Sequence, residues 1–247
     1  MTNIAPDDPG TRSSANWAKP VDRLSASGVV GAKDDAVSGK RVSGPLQGFG
    51  QLWQKTFKAP LTGIAMTPDA VITLWKEAFP TFWPKGSRFY APLAGIAPGE
   101  VALLEIAPVP GAPVKLSTGV MVLYADNESF TFITPEGHTL SAWITFSAYR
   151  EGHTTFVQAQ ALERPSDPFD ELAYMLGGNR MNNKFWQQTL ENLARHLGVA
   201  EPVVETQIAC IDKNRQWRYV RNLRNSATVR SARRMMTAPL RKLTGKS

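Results

Sequence analysis

The chain of 247 residues carries a formal net charge of +7, is 43% hydrophobic and holds one cysteine, Cys210. That length fits one large domain with extensions or two small ones; the apolar content is enough to bury a core, and a lone cysteine excludes an internal disulfide and suits a reducing compartment. The charge is concentrated: from Val199 onward there are eleven Lys or Arg against three Asp or Glu, whereas residues 1–198 hold seventeen against eighteen, so the high pI implies no basic cleft in the body.

Residues 1–43 are rich in Ser, Ala, Gly, Asp and Pro and read as a disordered leader with Trp17 and Leu24 as isolated anchors. Their start lacks the charged opening and apolar run of a signal peptide, and no stretch in the chain approaches about 18 apolar residues, so a soluble, cytoplasmic protein is expected. In GFGQLWQKTFK, Phe49, Trp53 and Phe57 are evenly spaced on one face, as in a strand. TPDAVITLWKEAFP opens on Thr67 as N-cap with Pro68 and Asp69 in the first turn, places Val71, Leu74, Trp75 and Ala78 on one stripe, and stops at Pro80. The aromatic, Pro- and Gly-punctuated FPTFWPKGSRFYAPLAGIAPGE then reads as an ordered loop over the core.

Five strand-like runs follow: 100–107, 114–124, 129–134, 139–149 and 153–163, each closed by a turn signal, which predicts an antiparallel meander. In the fourth, Leu140, Ala142, Ile144, Phe146 and Ala148 share one face, so the sheet is covered on one side. A long helix is predicted from Asp167, with Pro168, Asp170 and Glu171 in its first turn, to a stop at Gly198. Gly177-Gly178 interrupts it, and two mid-helix glycines cost about 1 kcal/mol each relative to Ala, which predicts a kink or a break.

Strand, helix, meander and a final helix is the order of an α+β helix-grip fold, a curved antiparallel sheet wrapped around a C-terminal helix. Over residues 44–199 the chain resembles the START-like, SRPBCC superfamily, nearest to a bacterial and plant branch of it. The segments that carry the likeness are TPEGHTLSAWITFSAY and FVQAQALERPSDPFDELAYMLGGNRMNNKFWQQTLENLA. The superfamily includes lipid carriers, polyketide cyclases, ring-hydroxylase subunits and small-molecule sensors, so the resemblance implies a fold without choosing an activity. It implies two short helices after the first strand, where this sequence shows one helix and the aromatic loop. The domain reading is a leader over 1–43, a START-like domain over 44–199 and a basic tail over 200–247.

Catalytic signatures are sparse. There is no phosphate-binding glycine motif, no HExxH and no metal-ligand spacing, so no cofactor and no metal is expected; the GFG of Gly48–Gly50 reads as a bulge. Glu105, alone in the apolar VALLEIAP, reads as a water-facing edge residue or as a buried general acid. His138, in the PEGH turn, reads as a backbone-bonded turn residue or as a catalytic partner. The aromatic and small residues Trp53, Phe57, Trp75, Phe79, Ala142, Ile144, Phe146, Ala159, Ala161, Phe185 and Trp186 read as core or, together with Gly119, as the lining of an apolar cavity.

The tail interleaves Arg215, Arg218, Arg221, Arg224, Arg230, Arg233 and Arg234 with Trp217, Val220 and Leu223, an amphipathic basic pattern if residues 214–236 are helical. A membrane surface, a nucleic acid, a protein groove or solvent would each suit it. Because the core helix stops at Gly198, the segment beyond it is expected to be separable from the domain. Three functions stand open: a carrier or sensor for a hydrophobic small molecule or lipid, a cyclase- or dehydratase-like enzyme, and a scaffold acting through its tail.

Overall fold

The computed structural model describes residues 13–26, 29, 37–107 and 115–226. Strand β1 (Leu52–Pro60) alternates, with Lys55, Phe57 and Ala59 buried on one face and Gln54 exposed on the other. Helix α1 (Pro68–Ala78) buries Val71, Ile72 and Trp75. Pro80 removes the N–H that an α-helix would need, and the chain continues as a 3-10 turn, Phe79–Phe82. The expected aromatic loop therefore supplies a second short helix and then a three-residue strand, β2 (Arg88–Tyr90).

The meander is β3 (Val101–Ile106), β4 (Leu116–Ala125), β5 (Ser129–Ile133), β6 (Leu140–Glu151) and β7 (Thr154–Pro165). Asp167 then caps α2 (Pro168–Ala173), its Oδ1 accepting from the Phe169 and Asp170 N–H at 2.8 and 3.0 Å. A π-type turn, Tyr174–Gly178, leads into α3 (Asn179–His196). Gly177 has φ 127°, a conformation that strains any side chain with a Cβ, so the predicted break is real and sits at this glycine. Beyond α3 come β8 (Glu205–Asp212) and a 3-10 helix, Trp217–Asn225.

The strands form one eight-stranded antiparallel sheet in the order β2-β3-β4-β5-β6-β7-β1-β8, and α1 and α3 pack on its concave face. This is the α+β helix-grip architecture implied by the START-like resemblance. The register aligns inward residues in rows across β6, β7 and β1: Ala142, Glu163, Trp53; then Ile144, Ala161, Lys55; then Phe146, Ala159, Phe57.

The sheet extends past residue 199. β8 pairs with β1 along seven residues, and Arg164 of β7 reaches over it to Asp212 at 2.6 Å and to the Asn214 carbonyl at 3.1 Å. Trp217 packs edge-on against Phe49, and Asn222 donates to the carbonyls of Gln47 and Ser166. Before residue 43, Trp17 bridges to Tyr124, while Leu24, Ala26 and Val37 form a second small core on the outer face with Val101, Leu103 and Met121. Gly119 belongs to that outer contact, not to an interior lining: a Cβ there would collide with Val37. Ending the chain after Ser226 should leave the folding transition intact, whereas ending it after Glu201 strips the edge of β1. The shorter form should lose at least about 5 °C in Tm or aggregate, read by thermal denaturation and size-exclusion chromatography.

Candidate functional site

Two opposite charges occupy inward positions of the sheet. Lys55 of β1 lies between Trp53 and Phe57, and Glu163 of β7 continues the inward series of Ala159 and Ala161. Both are buried, and Lys55 Nζ sits 2.7 Å from Glu163 Oε1. The kinked helix completes the cluster from above: Asn179 and Asn182 at the start of α3 accept from Lys55 Nζ at 2.8 and 3.1 Å, and the Tyr174 hydroxyl donates to Glu163 at 2.7 Å. Burial pushes the Lys55 ammonium below the usual lysine range, against the pull of Glu163. Burial and the neighbouring Glu163 carboxylate raise Tyr174, which keeps its proton as donor. Beside this cluster, Trp53, its ring 6.3 Å from that of Tyr174, buries its Nε1 without a hydrogen-bond partner.

The residues expected to line a cavity divide into two groups. Trp75, Phe79, Phe57, Phe146 and Ala159 are sealed, and the rings pack on one another: Phe79 lies 4.9–5.5 Å from Phe89, Phe130, Phe132 and Phe146, and Trp75 lies 5.3 Å from Phe146. Ala142 and Ile144 are also buried on the same concave face, nearer the polar cluster. Ala161 is buried beside Ile144, while Trp53, Phe185 and Trp186 are half-buried. Phe185 and Trp186 turn toward the core, 5.0 Å from Trp83 and 5.5 Å from Phe146 respectively. The concave face thus grades from sealed aromatics under α1 to small and polar residues under the kink.

The two candidate acids are not brought together. Glu105 pairs in register with Ser117 and Arg88 on the outer face and forms a half-exposed ion pair with Lys115 at 3.3 Å. His138 is buried in its own turn, its Nδ1 accepting from the Leu140 N–H at 3.0 Å, and burial lowers its pKa to about 4. Gly48 and Gly50 allow close approach, since a Cβ on either would strike Pro165, Arg164 or Glu171. Among the described residues no group of three or more His, Cys, Asp or Glu could hold a metal ion, and no helix is long and apolar enough to cross a membrane.

Of the basic residues, Arg215 pairs with the buried Glu171 at 3.1 Å and touches Met175 Sδ. Arg218, Arg221 and Arg224 lie exposed along the 3-10 helix, not along an α-helix as the spacing suggested; Arg230, Arg233 and Arg234 lie outside the described residues.

No family model and no curated protein matches the chain. Among solved structures it is similar to the ginseng major latex-like protein 151 of Panax ginseng, at 15% identity over 61% of this chain and 100% of that one, TM-score 0.41. It is also similar to the protein XoxI of Bacillus cereus (15% identity, 58% of this chain and 94% of that one, TM-score 0.40). A protein of Mycobacterium smegmatis shows a similar likeness (13% identity, 64% and 96%, TM-score 0.40).

Removing one partner of the buried pair leaves the other charge uncompensated. Lys55→Met should cost about 3–5 kcal/mol of unfolding free energy, and Lys55→Met with Glu163→Leu should recover most of it, read by urea denaturation. His138 gives a pH signature of defined sign. Its folded pKa of about 4 lies below the unfolded 6.5, so protons favour the unfolded chain. Its contribution is complete above pH 6.5 and falls by up to about 1.4 kcal/mol per pH unit between 6.5 and 4. His138→Asn, which keeps an acceptor for Leu140, should remove that part of the slope.

Proposed function

We propose that this chain is a binding module, a carrier or sensor for a hydrophobic small molecule or lipid held between the sheet and the kinked helix, with its basic C-terminal segment turned toward an anionic surface. The graded concave face is the observation that carries this reading. At one end lie the packed aromatic rings; at the other, Ala142, Ile144 and Ala161 share rows with the buried Lys55–Glu163 pair, to which Tyr174 donates. A guest with an apolar body and an oxygen-bearing head suits that gradient. The indole N–H of Trp53, beside Tyr174, supports it further: it is buried without an acceptor, which costs about 1–3 kcal/mol, and a guest oxygen within reach would offset that cost.

The enzyme reading lacks an equivalent support, because Glu105 is engaged with Lys115 on the outer face and His138 with the backbone of its turn. Native mass spectrometry of protein purified from its own host should show a lipophilic molecule of defined mass; an empty mass across several preparations counts against the reading. Ala142→Trp should displace that molecule, or a fluorescent apolar probe, with little change in stability. Ala159→Trp, at a sealed position, should instead destabilise by about 1–3 kcal/mol through overpacking.

A further inference from the structure

The outer side of the kink is unlike the rest of the surface. Phe169 and Leu172 of α2, Met175 and Leu176 of the π-type turn and Met181 of α3 are all exposed, Leu172 by 54% and Leu176 by 79%. A helix that only covered a sheet would turn such residues inward. Five large apolar side chains within thirteen residues make an exposed patch of the kind that marks an interaction site. The patch continues onto the 3-10 helix Trp217–Asn225, which packs beside α2: Arg215 bridges the two, touching Met175 and Glu171, and Trp217 is 71% exposed.

The 3-10 geometry orders the charges. At three residues per turn, side chains three apart eclipse, so Arg218, Arg221 and Arg224 form one row and Trp217, Val220 and Leu223 the next. All three arginines are exposed, and none has a carboxylate partner among the ion pairs of the described residues. Of the acidic residues there, Asp167 caps α2, Asp170 and Glu171 are buried, Glu171 against Arg215, and Asp212 is held by Arg164. The sequence after Ser226 adds six further Lys or Arg and no acidic residue.

We infer that this face docks on an anionic lipid leaflet, with Leu172, Met175 and Leu176 inserted below the headgroups, Trp217 at the interface and the arginine row on lipid phosphates and carboxylates. Each part has its matching chemistry: protruding aliphatic residues for acyl chains, an exposed indole for the headgroup region, and an unbalanced row of guanidinium groups for negative surface potential. A second copy of this chain fits poorly, because a two-fold contact through the patch would bring basic rows close to one another. A nucleic acid would engage the arginines and leave the leucines nothing to bury against. The inference rests on the reading that the basic segment meets an anionic surface and adds the apolar face that would insert; it holds whether or not the interior takes a guest.

The test is flotation of the full-length protein with vesicles of equal parts phosphatidylcholine and phosphatidylserine, against phosphatidylcholine alone, at low and high salt. Wild type should float with the anionic vesicles, and less so as salt rises. Leu172→Asp and Leu176→Asp, at exposed positions, should leave the circular dichroism spectrum unchanged, and each should lower partitioning by about tenfold or more. Arg218→Ala with Arg221→Ala should weaken binding and flatten its salt dependence. Trp217 should report insertion through quenching by brominated lipid that Trp217→Phe removes. Anionic-vesicle binding that is absent in wild type, or unchanged in both leucine variants, overturns the inference. So does a lipid-free dimer that Leu176→Asp splits into monomers, or RNA binding without vesicle binding.

Discussion

The buried Lys55–Glu163 pair sets the terms for everything packed above it. Two charges taken out of water are tolerated only when good geometry and further hydrogen bonds compensate them. Here the compensation comes from opposite sides of one helical break: Tyr174 precedes Gly177 and donates to Glu163, while Asn179 and Asn182 follow it and accept from Lys55. Both sets must come down on the same point of the sheet. Gly177, at φ 127°, supplies the turn that lets them. Through these contacts the turn before Gly177 and the first turns of α3 both lie over the Lys55–Glu163 diagonal of β1 and β7.

Most of this architecture is legible from patterns of period two and from caps. The alternation of Ala142, Ile144, Phe146 and Ala148 orients β6 correctly, and Asp167-Pro168 marks the start of α2. The cluster itself was also within reach. Lys55 has the parity of Trp53 and Phe57, and Glu163 that of Ala159 and Ala161, so each charge stands at an inward position of a half-buried strand. An inward Lys and an inward Glu on strands with matching parity are a signal for a buried pair, since either one alone would be too costly to bury. The weakly patterned elements stayed hidden for physical reasons. β8 is an edge strand with Ile208 and Ile211 exposed, so burial imposes no alternation on it, and β2 is three residues long.

The aromatic residues teach a different lesson. Their number suggested space to line, yet Phe79 alone meets five other rings, so they are largely consumed in packing one another. Large side chains fill interiors; small ones leave room in them. The small inward residues beside the polar cluster are Ala142 and Ala161, in the rows that also hold Trp53, Glu163, Ile144 and Lys55.

The charge arithmetic acquires a geometry in the same way. The sequence divides into a near-neutral body and a basic remainder, and the fold places that boundary inside an ordered unit, not at its edge. Arg164, Asp212 and Asn214 fasten the strand and turn that carry Arg215 onward, so the first arginines of the basic segment are held at fixed positions on the domain. They are held beside α2, and the π-type turn after it exposes Met175 and Leu176 outward while Tyr174 points inward to Glu163. One short helical turn therefore belongs to two environments: its inner side is fixed by the buried pair, and its outer side is apolar and bordered by guanidinium groups.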